Sequence, residues 1–189
     1  MKVNEIFCSV QGEGYFTGTA AVFIRTSGCN LKCSFCDTKH EEGQEMSVEN
    51  IVSQAQTYQP RHAVITGGEP SLQPELPQLV DALHKAGFYV QIETNGTRPL
   101  PPSIDWVTCS PKVLEKTVIT HPHELKVVYQ GQSMTIYEET FHPQVWCLQP
   151  CDTADRKQSE SLLTQTMEYV LQHPRWRLSL QTHKLIGVR

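Results

Sequence analysis

An alternation constrains this chain more than any other feature. Short apolar runs are each closed by a polar cluster bearing glycine, proline or cysteine, and several are followed by a stretch of helical periodicity. The apolar runs cover 20–26, 62–66, 88–93, 104–109, 124–129, 145–148 and 176–180. Helical spacing follows Ser47, with Val48, Ile51, Val52 and Ala55 on one face. It returns over 74–86, with Leu76, Leu79, Val80 and Leu83 ahead of Gly87. A longer helix is predicted from a cap at Asp152 or Thr153 to about 172, with Leu162, Leu163, Thr166 and Val170 inward. Such alternation builds parallel βαβ units and places the chain in the α/β class. At about 30 residues per unit, 189 residues make roughly six strands, too few for a closed eight-stranded barrel.

The polar clusters then acquire a meaning. The cysteine loop that starts at Cys29, Gly67–Pro70, Thr94–Gly96, Ser110–Lys112, Gln149-Pro150 and Thr182–Lys184 each come just after a predicted strand. In barrel-type sheets reactive groups sit at the C-terminal ends of strands, so these clusters are expected to face one mouth. The opening stretch, 3–10, also alternates like a strand. It runs into Gln11-Gly12-Glu13-Gly14, a glycine-rich loop with one carboxylate, suited to a close backbone approach or to a simple hairpin turn.

Cys29, Cys33 and Cys36 fall within one loop, at spacings of four and three residues. A loop of this kind can wrap a cube-shaped iron–sulfur cluster and present three thiolates to three irons. A [4Fe–4S] cluster normally takes four, so one iron stays open to another ligand, which suggests catalysis. Other uses of the same residues are a zinc knot completed by His40 or Cys8, a redox pair of Cys33 and Cys36, and three separate buried thiols.

A start without a signal-peptide core points to the cytoplasm, and seven cysteines in a cytoplasmic chain argue for metal or catalytic use rather than disulfides. Cys147 and Cys151 are expected to be ordinary thiols. No run approaches the ~20 apolar residues of a membrane span. The net charge of −4, with scattered basic residues, is not the footprint of a nucleic-acid binder. A small-molecule substrate is expected, with neither nucleic acid nor membrane as partner.

With these pieces in order, the chain resembles the radical S-adenosylmethionine superfamily. The cysteine loop, with Phe35 just before its last cysteine, and Gly67-Gly68-Glu69-Pro70 after the next strand carry that resemblance. Gln11–Gly14, Phe23-Ile24-Arg25, Cys36–His40, Glu93–Thr97, Ser110-Pro111-Lys112 and Ser179–Lys184 narrow it to the 7-carboxy-7-deazaguanine synthase family of the queuosine pathway. The resemblance implies an incomplete (βα)6-type, TIM-like barrel of mainly parallel strands with a reduced helix set. It implies one domain over 1–189, acting as a homodimer. A [4Fe–4S] cluster on Cys29, Cys33 and Cys36 is implied, with S-adenosylmethionine chelating the open iron, together with Mg²⁺ and a flavodoxin-type electron donor. The implied substrate is 6-carboxy-5,6,7,8-tetrahydropterin. A 5′-deoxyadenosyl radical takes hydrogen from its C6, the ring contracts and ammonia leaves.

By the same resemblance Phe35, Cys36, Asp37, Gly67, Gly68, Glu69, Gly96, Ser110, Pro111, Lys112 and Gln149 hold the cofactor, Glu69 accepting from its ammonium. Val10, Gln11, Gly12, Glu13, Arg25, Thr94, His183 and the terminal carboxylate of Arg189 hold the substrate. The residue chemistry agrees: the Arg25 fork suits a carboxylate, and Glu13 suits the guanidine-like N–H pair of a pterin. Thr38 is the magnesium candidate, with Asp37 second. Mg²⁺ wants oxygen ligands and borrows some from substrate and water, so magnesium at Thr38 would depend on substrate. Residues 39–61 form a short segment for the family, and 130–144 match no motif. An activase acting on a partner protein's glycine would share the cysteine loop but not need Gln11–Gly14 or the Gln181–Lys184 ending. An electron-transfer or zinc-stabilised binding module is the alternative from another class.

Overall fold

The structure, a computed structural model, describes residues 1–36, 38 and 40–188. Among them one sheet organises the chain. β1 (Lys2–Val10) runs antiparallel to β2 (Ala20–Thr26), with a bulge between Val3 and Glu5, and β3 (Gln44–Glu45) pairs with the outer edge of β1. From β2 onward every neighbouring pair is parallel, through β4 (His62–Gly67), β5 (Tyr89–Thr94), β6 (Trp106–Cys109), β7 (Glu124–Tyr129), β8 (Val145–Pro150) and β9 (Trp176–Leu178). The order is β3-β1-β2-β4-β5-β6-β7-β8-β9, so β3 and β9 end the sheet and the barrel is not closed. The expected incomplete barrel of mainly parallel strands is what forms. It has nine strands against the roughly six anticipated: β1 and β3 add antiparallel strands at one edge, and crossovers without a full helix leave chain for one more parallel strand.

The helices explain that economy. α1 (Val48–Gln56) starts at Ser47, whose hydroxyl accepts from the Asn50 N–H at 3.2 Å, and buries Ile51, Val52 and Ala55. α2 (Leu76–Lys85) buries Leu76, Leu79, Val80 and Leu83, and the chain turns at Gly87, where φ is +81°. Between β5 and β6 the Pro99–Pro102 segment takes the place of a helix, and between β6 and β7 there is only a 3₁₀ turn, Leu114–Lys116. α3 (Thr135–Thr140) lies in the stretch that matched no motif. α4 (Arg156–Gln172) is capped by Asp155, which accepts from the Lys157 N–H at 2.8 Å, and not by Asp152 or Thr153. The Thr153 hydroxyl instead donates to the Asp155 carbonyl at 2.8 Å. β3 falls within the short 39–61 segment, and the polar cluster Thr182–Lys184 after the last strand opens a short helix, α5 (Thr182–Ile186).

Two apolar cores form outside the sheet. One packs Ile24, Ile65, Val90 and Ile92 against Ile51, Leu79 and Leu83 of α1 and α2. The other packs Leu125, Val127 and Leu148 with Met134, Phe141 and Trp176. Each fully buried large side chain contributes about 1.5–3 kcal/mol relative to exposure. The N-terminal end of the barrel is plugged from within. Phe16, in the loop after β1, meets His62, Trp106 and Tyr89 edge-on at 4.7, 5.0 and 5.9 Å, and Tyr15 stacks on Trp106 at 4.9 Å. His62, Tyr89 and Trp106 open β4, β5 and β6. With rings packed across that end, the cavity lies toward the C-terminal strand ends.

Candidate active site

At those strand ends lies a cavity of about 540 Å³. All six clusters that follow strands contribute to its wall: Cys29, Cys33 and Cys36; Gly67 and Gly68; Thr94 and Asn95; Ser110 and Lys112; Gln149 and Pro150; His183 and Lys184. One mouth therefore gathers them, as the parallel register requires. Val10, Gln11, Gly12 and Glu13 reach the same cavity from the opposite end, because the loop after β1 climbs through the barrel interior. That loop is tied in place where the Thr182 N–H donates to the Gly12 carbonyl at 2.9 Å and the Gly14 N–H to Ser179 Oγ at 2.9 Å. The His183 ring lies so close to Gly12 that a Cβ there would overlap it.

The cysteine loop is anchored by its neighbours. The Gly68 N–H donates to the Thr26 carbonyl at 3.0 Å and the Glu69 N–H to the Gly28 carbonyl at 2.8 Å. A Cβ on Gly68 would overlap the Gly28 carbonyl, so only glycine lets the two loops approach this closely. On the other side, Asn95 Nδ2 donates to Asn30 Oδ1 at 3.0 Å, and Asn30 Nδ2 to Thr97 Oγ1 at 2.8 Å. The three thiols are free of disulfides. Burial pushes the Cys33 thiol above its ordinary value, against the pull of the Lys112 ammonium. Among the described residues no set of three or more His, Cys, Asp or Glu side chains converges on a single-ion site. Cys29, Cys33 and Cys36 all line the cavity, and three thiolates from one loop suit a cluster that takes each on a different iron. The donor set therefore fits a [4Fe–4S] cluster held by Cys29, Cys33 and Cys36.

Several anticipated residues stand where the sequence placed them, with partners it did not reveal. Arg25 lines the cavity and its Nε donates to Glu5 Oε1 at 2.9 Å. Thr94 lines it too, but its hydroxyl donates to Glu69 Oε1 at 2.7 Å. Phe35, Thr38 and Gln149 also contribute to the wall, and Gln149 Oε1 accepts from Ser179 Oγ at 3.0 Å. Lys112 donates to Ser110 Oγ and sits 5.9 Å from the Phe35 ring centre. Burial, with Lys126 nearby, lowers its pKa.

Three others do not line the cavity. Glu69 is fully buried behind the wall, where its carboxylate accepts from the Ser71 N–H at 3.0 Å, Thr94 Oγ1 at 2.7 Å and the Asn95 N–H at 2.7 Å. It ties the loop after β4 to the loop after β5. Gly96, at φ +76°, backs onto Cys109 Sγ. Pro111 borders a second cavity of about 280 Å³ with Phe35, Lys112 and Tyr137. Asp37 and Arg189 lie outside the described residues.

Lys126 belongs to no motif of the sequence, and Glu93 stands in the Glu93–Thr97 motif without a role assigned to it. Lys126 Nζ donates to Glu13 Oε2 at 2.6 Å and to Glu93 Oε2 at 2.8 Å, deep in the cavity wall. Gln181 Nε2 holds the other Glu13 oxygen at 2.9 Å. Burial would raise the Glu13 carboxyl, but the Lys126 ammonium outweighs it and holds Glu13 below its ordinary value. Burial pushes Glu93 the other way, up to about 7, with Glu124 and Glu13 adding to the rise and Lys126 opposing it. One ammonium among these carboxylates keeps Glu13 ionised and leaves Glu93 the easier of the two to protonate. The sequence signal was available: Glu124-Leu125-Lys126-Val127 puts charges at period two into a strand that a parallel sheet buries on both faces.

The pattern of the Radical SAM superfamily matches residues 23–116. A 7-carboxy-7-deazaguanine synthase from Bacteroides thetaiotaomicron is 56% identical over 188 residues, covering 100% of this chain and 98% of that protein. One from Haemophilus influenzae is 35% identical, over 99% and 93% of the two chains. The crystal structure of QueE from Escherichia coli superposes with a TM-score of 0.76 at 35% identity, over 96% of this chain and 94% of that one. The chain belongs to the 7-carboxy-7-deazaguanine synthase family of radical S-adenosylmethionine enzymes.

Proposed function

We propose that the chain, as one domain over 1–189, converts 6-carboxy-5,6,7,8-tetrahydropterin to 7-carboxy-7-deazaguanine with loss of ammonia. The observation that carries this is the convergence of the three-thiol loop and the ionised Glu13 on one cavity. When bound on Cys29, Cys33 and Cys36, a [4Fe–4S] cluster with S-adenosylmethionine supplies the radical that removes hydrogen from C6.

The chain's own residues bind, orient and exclude water. Gly67 and Gly68 offer backbone to the methionine part of the cofactor, while Ser110, Lys112 and Gln149 suit its polar groups. Phe35 and Cys36 flank it, with Asp37 assigned to it as well. Glu69 and Gly96 serve it by shaping the loops on which Thr94 and Gly67 stand, and Pro111 shapes the turn that carries Lys112. On the substrate side Arg25 takes the carboxylate, and Glu13 accepts from the guanidine-like N–H pair. Val10, Gln11, Gly12, Thr94 and His183 complete the contacts, with the Arg189 terminal carboxylate. The apolar floor made by Phe7 and Phe23, stacked at 5.1 Å, keeps water from the ring.

Mg²⁺ is assigned to Thr38 together with the substrate carboxylate, a set that exists only when substrate is bound. We further assign the enzyme to the cytoplasm as a homodimer, reduced by a flavodoxin-type protein. Among the described residues no helix is long and apolar enough to cross a membrane.

An anaerobic assay on reconstituted protein tests the reaction, with S-adenosylmethionine, a strong reductant, Mg²⁺ and the carboxytetrahydropterin. The deazaguanine acid is expected by mass spectrometry. Formation of 5′-deoxyadenosine without that acid would leave the superfamily chemistry standing and overturn the substrate. Unchanged magnesium stimulation in Thr38→Ala would overturn the magnesium assignment.

A further inference from the structure

Binding of a pterin edge by Glu13 leaves one conspicuous group without a task. Lys126 sits in the middle of β7 with its side chain 7% exposed, between Glu13 at 2.6 Å and Glu93 at 2.8 Å. Taking an ammonium out of water is costly, and apolar residues of similar volume often stabilise a fold as well as a buried ion pair does. Its neighbours Leu125 and Val127 show that this strand buries apolar side chains without difficulty. Stability therefore gives little reason for a lysine here.

The geometry does. Both oxygens of Glu13 are gripped by donors from separate elements, Lys126 on β7 and Gln181 ahead of α5. A carboxylate held at both oxygens has one orientation, and it retains lone pairs for two further donors. Lys126 is itself held by Glu93, whose other oxygen accepts from Gln11 Nε2 and Gln91 Nε2, both at 3.2 Å. The chain of contacts runs from the sheet interior to the cavity without a gap.

Resting on the pterin assignment above, we propose that Lys126 is a positioning residue for substrate. It aligns the Glu13 carboxylate toward the cavity so that the N–H pair of a 2-amino-4-oxopyrimidine ring meets an oriented acceptor, and Glu93 anchors Lys126 for that purpose. Neither Lys126 nor Glu93 needs to touch the reacting carbon.

A double-mutant cycle of Lys126→Met with Glu13→Gln tests this, in the reconstituted enzyme. In Lys126→Met the KM for 6-carboxytetrahydropterin rises about tenfold or more, while kcat changes by less than about threefold. Release of 5′-deoxyadenosine in the absence of pterin stays at the wild-type level, which shows the cofactor side intact. The double variant has a KM no higher than the worse single variant, because Lys126 acts through Glu13. An unchanged KM in Lys126→Met, or multiplicative effects in the double variant, overturns the assignment. Should Lys126→Met not fold, Glu93→Ala removes the acceptor that anchors Lys126 and decides the matter. Its KM rises a few-fold with kcat held, and an unchanged KM overturns the assignment. Wild-type turnover separates the two proposals. Product from wild type with an unaffected variant removes Lys126 alone; no product from wild type removes the pterin assignment and this one with it.

Discussion

The two faces of β5 and β7 are equally dry and chemically opposite. Outward, Val90, Ile92, Leu125 and Val127 are fully buried among other apolar side chains. Inward, one residue away along the same strands, Gln91, Glu124 and Lys126 are at most 5% exposed, and Glu93 stands beside them. The outer face is held by area, which is non-directional and tolerant of substitution. The inner face is held by particular donors meeting particular acceptors, which is why it can present an oriented carboxylate to a ligand. Burial by itself says nothing about function; the kind of group that is buried does.

Substitutions on the two faces should separate activity from stability. The largest effect belongs to the mouth above the inner face. Cys33→Ala is expected to abolish deazaguanine formation and 5′-deoxyadenosine release while leaving the folded sheet intact by circular dichroism. A variant that kept full iron and activity would dissociate the cysteine loop from the chemistry.

Leu125→Ala, on the outer face, should destabilise the protein by about 2–5 kcal/mol in urea unfolding, with the KM for pterin unchanged. A shift in KM there would mean that the faces are coupled.

Glu93→Gln sharpens the contrast through pH. Folded, Glu93 keeps its proton up to about pH 7; unfolded, only to its ordinary 4.5. The fold therefore binds the extra proton across that window, and the stability this gives is lost as pH rises through it. Glu13 has the opposite sign, contributing stability that disappears as pH falls. Glutamine does not titrate, so Glu93→Gln should gain on wild type between pH 5 and pH 8, by on the order of a few kcal/mol. Denaturation at both pH values checks it, and a constant difference would contradict the assignment of the proton to Glu93.

The smallest effect is the control. Arg156 and Glu160 pair at 2.9 Å on the exposed side of α4. Glu160→Ala should change stability by less than about 0.5 kcal/mol and leave activity as it was.

Much of the fold was legible before any coordinates. Ser47 and the apolar spacing of Ile51, Val52 and Ala55 place α1, because capping and periodicity are local. The α4 cap was legible in kind but not in position: Asp152, Thr153 and Asp155 are all competent, and the choice fell to Asp155, while the Thr153 hydroxyl donates to the Asp155 carbonyl. At the site, the cysteine loop and Gly67-Gly68 could be read because spacing and glycine are local signals. Glu69 could not be placed, because its donors, Thr94 and Asn95, come from the next βα unit.

By itself, the sequence determined the parallel strands and the main helices, the single mouth at the strand ends, and the three-thiol loop. Each depends on neighbours a few residues apart, or on the parallel register that alternation imposes. Only the tertiary structure decided that the loop after β1 climbs inside the barrel to bring Glu13 within 2.6 Å of Lys126, 113 residues further on. Only there do burial, Glu124 and Glu13 raise the Glu93 carboxyl to about 7. Ionisation depends on which charges burial brings together, and distance along the chain carries no record of that.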